Sequence, residues 1–150
     1  MFHRQRLRSQ PVDAVDDPDV GLVVEHGPVL AVIAAGGALG SLARYGVNLA
    51  LPYSGGFPLS TFGENVVGCF VLGALLVVLT EQRHPHRLVR PFLGTGVLGG
   101  FTTFSTYAVD SVTRDSATVA ALYLVGTLAV ALAASWAGVA VTRRLGTVAR

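Results

Sequence analysis

The residues in this chain that can do chemistry are hydroxyls, one amide and aromatic rings, all set inside apolar sequence. Thr102, Thr103, Ser105 and Thr106 follow a glycine pair in GTGVLGGFTTFSTYAVD, residues 94–110. A membrane-spanning helix satisfies its backbone internally, and a glycine pair leading into TTFST invites a break. Broken backbone at that depth persists only where protein or a water-filled cavity takes over its hydrogen bonds. Carbonyls freed there are hard oxygen ligands for a small cation, although the hydroxyls can equally bond back to their own helix. The stretch is therefore a candidate ion site. Phe101, Phe104 and Tyr107 recur every three residues, which is ordinary spacing for a packed helical stripe. Their positive ring edges can also face an anion without gripping it as a full charge would.

Two further positions stand out because polar groups in a membrane are costly. Asn65 can donate to an anion or hydrogen-bond a neighbouring helix, and the sequence alone weighs these evenly. Glu64 lies about 100° round the helix from it. It can act as a proton or cation carrier, pair with Arg44, or sit near the interface. It is only about 7.5 Å of helical rise from Leu59, which favours the interface. Tyr123 and Thr127, spaced i,i+4, share a helix face, either as packing or as a polar track. There is no paired carboxylate, nucleophile elbow, phosphate loop or HExxH sequence, so no enzyme is indicated. Cys69, the only cysteine, has no disulfide partner in the chain and no His/Cys set around it.

These residues need elements that can hold them in lipid. The chain has 150 residues, 51% hydrophobic and 13% charged, with mean hydropathy +0.57. Soluble domains carry about a quarter charged residues. The chain reads as one all-α membrane domain. All 11 basic residues are arginine and the net charge is +2, too small and scattered to suggest nucleic acid. Residues 1–26 form a polar tail that lacks the apolar core of a signal peptide and reads as disordered. The transmembrane domain spans 27–143, and a short tail, 144–150, follows.

Four apolar segments fill the domain: 28–51, 59–80, 91–109 and 116–142. The first contains GGALGSLARYG, whose small residues suit close helix contact, and Arg44 near its end can snorkel. LPYSGGFP makes an interfacial turn, and EQRHPHRLVR a basic loop. The reading is four transmembrane helices, the third broken at Gly99–Thr102. Arg83, Arg87, Arg90, Arg143 and Arg144 on one face outweigh Arg114 and Arg44 opposite. The positive-inside rule then puts both termini in the cytoplasm.

Three signatures in order resemble the fluoride-specific ion channels, the Fluc or CrcB proteins. They are GGALGSLARY (36–45), FPLSTFGENVVGCFVLG (57–73) and GTGVLGGFTTFSTY (94–107), within a likeness running from Val29 to about Val141. The resemblance implies an antiparallel dimer of four-helix subunits in a prokaryotic cell membrane, with two fluoride pores. It implies a structural, untransported sodium ion (Na+) held by backbone carbonyls, here those of Gly99 and Thr102. Phe104 and Tyr107 would line the pore with Asn65 as a donor, and Tyr123 and Thr127 would match the fourth-helix polar track. The implied activity is passive efflux that lowers cytoplasmic fluoride. The chain departs from the family pattern at Tyr107, usually phenylalanine, and at Glu64, usually small or apolar. Its arginine bias points to a single orientation, and so to a heterodimer with an oppositely inserted paralogue as an alternative to a homodimer. Two other readings are a four-helix proton-coupled exporter using Glu64 and a non-conducting heterodimer subunit.

Overall fold

The computed structural model describes residues 18–52, 57–81, 86–113 and 116–148. Among them every regular element is helical. Helix α1 covers Pro18–Ala50 and α2 covers Leu59–Glu81. Helix α3 winds as a π-helix over Pro91–Leu98 and closes with one α-turn, Gly99–Phe101. Helices α4 (Phe104–Val112) and α5 (Ala117–Val148) complete the order.

The boundaries differ from the sequence reading at both ends. Helix α1 starts at Pro18, inside the stretch read as tail to residue 26. Proline suits a first helical turn, where its missing N–H would have no partner, and GLVV extends the helix behind it. At the other end α5 runs through Arg143 and Arg144 to Val148, because nothing in LGTV stops it. Residues 1–17, the tip of the LPYSGGFP turn, Arg83, Arg114 and the final two residues lie outside the described residues.

Segments His26–Ala50, Leu59–Glu81 and Ala117–Gly146 are long and apolar enough to cross a membrane. The third apolar segment is not one such helix, because α3 and α4 each fall short of the roughly 20 residues a span needs. Leu42, Leu49, Leu122 and Trp136 are 65–75% exposed. Contiguous apolar surface of that kind suits lipid or another protein rather than water. This is a multi-pass membrane protein.

Two helix pairs make the bundle. Helix α2 packs along α5, and α1 packs along α3. Glycine lets each pair approach to backbone contact. A Cβ at Gly36 would sit 3.0 Å from the Gly96 Cα, and one at Gly40 would run into the Val97 carbonyl and lie 2.8 Å from the Phe101 nitrogen. On the other pair, Gly73 meets the Ser135 carbonyl and Gly138 the Phe70 carbonyl. In lipid, where the hydrophobic effect between helices is absent, such close contact supplies the association energy.

Gly37 is the internal control, since a Cβ there would meet nothing within 4 Å. Gly40→Ala should cost about 1–3 kcal/mol through overpacking, and Gly37→Ala should be neutral. Apparent melting temperatures of the two variants in one detergent would check this. Equal stability would mean that the α1–α3 approach is not set by Gly40.

Candidate functional site

The site is built on two residues that leave the helix. Thr102 (φ −76°, ψ 154°) and Thr103 (φ −142°, ψ 119°) are extended, and they separate α3 from α4. Gly99, where the sequence reading starts the break, is still helical at φ −65°, ψ −33°. Gly100, the second of the glycine pair, has a different job. A Cβ at Gly100 would strike the Gly37 carbonyl, so glycine brings α1 close while the threonines make the break.

Several backbone groups at the break acquire partners. The Thr103 N–H donates to Asn65 Oδ1 at 2.9 Å, and Asn65 Nδ2 donates to the Thr103 carbonyl at 3.0 Å. This reciprocal amide pair replaces the intrahelical bonds that Thr103 gives up. It also takes the Thr103 N–H away from its normal i−4 acceptor, the Gly99 carbonyl. The Thr102 N–H and Thr102 Oγ1 both donate to the Leu98 carbonyl, at 2.9 Å each, closing α3. Thr103 Oγ1 accepts the Thr106 N–H at 3.2 Å and donates to Thr106 Oγ1 at 3.0 Å, capping α4. The hydroxyls thus do bond back locally, as one of the two readings held. The cap was legible as a threonine three residues before a second hydroxyl at a helix start.

A cavity of about 510 Å3 opens beside the break. Its wall includes Asn65, Gly99, Thr102, Phe104, Tyr107 and Thr127, and no charged side chain lines it. Thr127 is 3% exposed, and its Oγ1 is buried without a hydrogen-bond partner among the described residues. Asn65 uses one Nδ2 hydrogen on Thr103, and an amide carries two. Phe104 is 80% exposed on the open side, and its ring lies 5.9 Å from the buried Tyr107 ring.

Tyr107 carries its ring into the wall and its hydroxyl out of it, donating to the Leu124 carbonyl of α5. The hydroxyl that distinguishes it from phenylalanine is therefore spent on a helix backbone. Tyr123 does not line the cavity. It stands behind Tyr107 at 5.6 Å and continues to Phe57 at 5.4 Å, and Phe57 meets Phe62 at 5.3 Å. Phe57 and Phe62 are additions to the sequence reading, which had no means of bringing Phe57 against Tyr123 of α5.

Glu64 points about 100° round the helix from Asn65, away from the cavity. It is 2% exposed, accepts from Asn48 Nδ2 of α1 at 2.9 Å, and has Arg44 and Asp110 within electrostatic reach. Asn48 Nδ2 also donates to the Arg44 carbonyl at 3.0 Å. Whatever its depth in the bilayer, Glu64 is buried within the protein, because α1 covers this turn of α2.

The sequence matches the family model described as CrcB-like protein, camphor resistance (CrcB), over residues 31–139. A Streptomyces coelicolor protein named fluoride-specific ion channel FluC 1 is 55% identical over 122 residues, 79% of each chain. A Paracoccus denitrificans protein named fluoride-specific ion channel FluC is 47% identical over 117 residues, 75% of this chain and 93% of its own. A Streptomyces avermitilis protein, named fluoride-specific ion channel FluC 2, is 64% identical over 88 residues, 57% of this chain and 56% of its own.

Asn65→Ala strips both partners from Thr103 and should cost about 2–5 kcal/mol, whereas Tyr107→Phe removes one hydrogen bond and should cost about 1 kcal/mol. Thermal unfolding in detergent would rank them. A smaller loss for Asn65→Ala than for Tyr107→Phe would show that the break does not lean on the amide.

Proposed function

This chain belongs to the CrcB-like family and is a fluoride channel, and we propose that fluoride passes along the cavity beside the α3–α4 break. The observation that carries this reading is a buried hydroxyl without a partner, Thr127 Oγ1, in an uncharged wall. Fluoride is small and tightly hydrated, so its path must replace water with donors. The Thr127 hydroxyl, the spare Asn65 N–H and the edges of the Phe104 and Tyr107 rings are of that kind. None is a full positive charge, so an anion could enter and still leave. The N-terminus of α4 adds a positive dipole end at the same place. Tyr123 supports the Tyr107 ring from behind, and its polar-track role is carried by Thr127 alone. Passive flow down the gradient would lower cytoplasmic fluoride and its toxicity.

The same break supports a structural sodium ion. The Gly99 carbonyl has lost the Thr103 N–H as a donor, and Thr102 is extended, so both carbonyls are released from regular helix bonding. Both residues border the cavity. Hard oxygen donors suit a small hard cation, and among the described residues no cluster of His, Cys, Asp or Glu offers another site. Gly99 and Thr102 would hold the ion, which would supply fixed positive charge to tie the broken backbone together. Two carbonyls from one chain under-coordinate such an ion, which favours a second copy completing the site. An antiparallel dimer, with 91–112 crossing the membrane as the fourth span, meets that need and covers the exposed Phe104.

Purified protein in liposomes should release fluoride and retain chloride, with loss of flux or of the dimer when sodium is removed throughout. Glu64→Gln, which keeps an acceptor for Asn48, should leave fluoride release within about twofold, since Glu64 lies outside the cavity wall. Chloride passing as fast as fluoride would refute the selectivity, and proton-coupled flux lost in Glu64→Gln would favour an exporter. No release from this chain alone, restored by a paralogue, would favour a heterodimer subunit.

The arginines at the α2–α3 turn and the end of α5 favour one orientation with cytoplasmic termini in the cell membrane. Tags at either terminus should then be reached from the cytoplasmic side only. Labelling in equal amounts from both sides would instead establish dual topology and a homodimer.

A further inference from the structure

A second recess, unconnected with the pore wall, lies where α2 ends and α3 begins. Leu76, Leu79 and Thr80 from the last turns of α2 and His86, Arg87 and Arg90 from the following turn enclose about 190 Å3. Helix α2 has 23 residues and so is about 35 Å long, against a hydrocarbon core of about 30 Å. Its final turn therefore emerges at headgroup level. Leu76 is 39% exposed and lies about 7.5 Å of rise below Glu81, on the acyl side of that boundary.

Three polar side chains that line the recess, those of His86, Arg87 and Arg90, carry donors. Arg87 and Arg90 make no side-chain ion pair or hydrogen bond among the described residues. His86 Nδ1 accepts the Leu88 N–H at 3.3 Å, which leaves Nε2 as the donating nitrogen. Thr80 Oγ1 is spent on the Leu76 and Val77 carbonyls, at 2.9 and 3.1 Å. Glu81, the acid at the end of α2, lies towards α5, with its Oε2 3.6 Å from where a Gly146 Cβ would stand. Two arginines and a histidine donor above two leucines match a phosphate attached to a hydrocarbon chain.

We propose that this recess binds the phosphodiester of an anionic phospholipid, with the first methylenes of one acyl chain along Leu76 and Leu79. A free phosphate shares the anion but leaves the leucines uncovered, and a zwitterionic lipid brings its own cation against the arginines. The test is native mass spectrometry of the full chain, released from detergent after titration with phosphatidylglycerol or phosphatidylcholine at matched concentration. The wild type should retain phosphatidylglycerol at least about tenfold better. R87Q/R90Q should retain the two lipids equally, R87K/R90K should keep most of the preference, and millimolar inorganic phosphate should not displace the lipid. R87Q/R90Q should release fluoride normally from phosphatidylcholine liposomes, which shows that it is folded. Equal retention of the two lipids by the wild type overturns the proposal without reference to any variant. Unchanged preference in folded R87Q/R90Q overturns the assignment to these arginines, and displacement by phosphate overturns the lipid as the ligand.

Discussion

The structure depends on one exchange of hydrogen bonds, the reciprocal pair between the Asn65 amide and the Thr103 backbone. Two consecutive extended residues in a membrane-length segment would otherwise strand an N–H and a carbonyl, each costing about 1–3 kcal/mol when buried. The rest of the packing serves this contact. Gly68, one turn beyond Asn65, leaves no room for a Cβ because the Thr102 methyl occupies that space. A larger residue at 68 would hold α2 off, and the amide would not reach. Gly100 against Gly37 fixes the other side of the break, from α1. The break is thus held between two helices, with Gly68 of α2 and Gly100 of α3 leaving room for the approach, and only α2 contributes a polar group.

A break of this kind has electrostatic consequences that an unbroken helix lacks. Helix α3 ends in carbonyls and α4 begins with N–H groups, so a partial negative and a partial positive end lie within two residues of each other. One gap can therefore serve ions of both signs without any charged side chain. On the proposed reading a cation would sit on the Gly99 and Thr102 side, and an anion on the Phe104 side. Under that division an uncharged wall could still select between ions, and a fixed cation need not trap a moving anion.

The membrane class, the break region and the wall residues Asn65, Phe104, Tyr107 and Thr127 were legible in the sequence, because each stands out against an apolar background. Whatever required a partner distant in sequence was not. Asn65 and Thr103 are 38 residues apart, so the amide read equally as an anion donor or a helix clip, and it proves to use one hydrogen as a clip with a second to spare. Glycine signals flexibility in a sequence, which drew the break to Gly99, whereas Gly99 is helical, Gly100 meets the α1 backbone and the extended residues are threonines. The π-winding of Pro91–Leu98 left no signature beyond the glycines that tolerate it. Nor could spacing tell that the Tyr107 hydroxyl turns towards Leu124.

Adjacent positions on α2 divide polarity by direction. The step of about 100° from Glu64 to Asn65 sends the carboxylate into α1 and the amide into the cavity. Asn48 ties down the first, with Arg44 nearby, and Thr103 ties down the second. A carboxylate in the cavity wall would repel an anion, and a carboxylate facing lipid would be costly to bury. The only inexpensive direction is towards the polar end of α1. The acid next to the cavity amide would therefore be compatible with anion passage, because the helix turns it away. Its rigid hold on α1 also gives α2 a second anchor one residue from the contact on which the break depends.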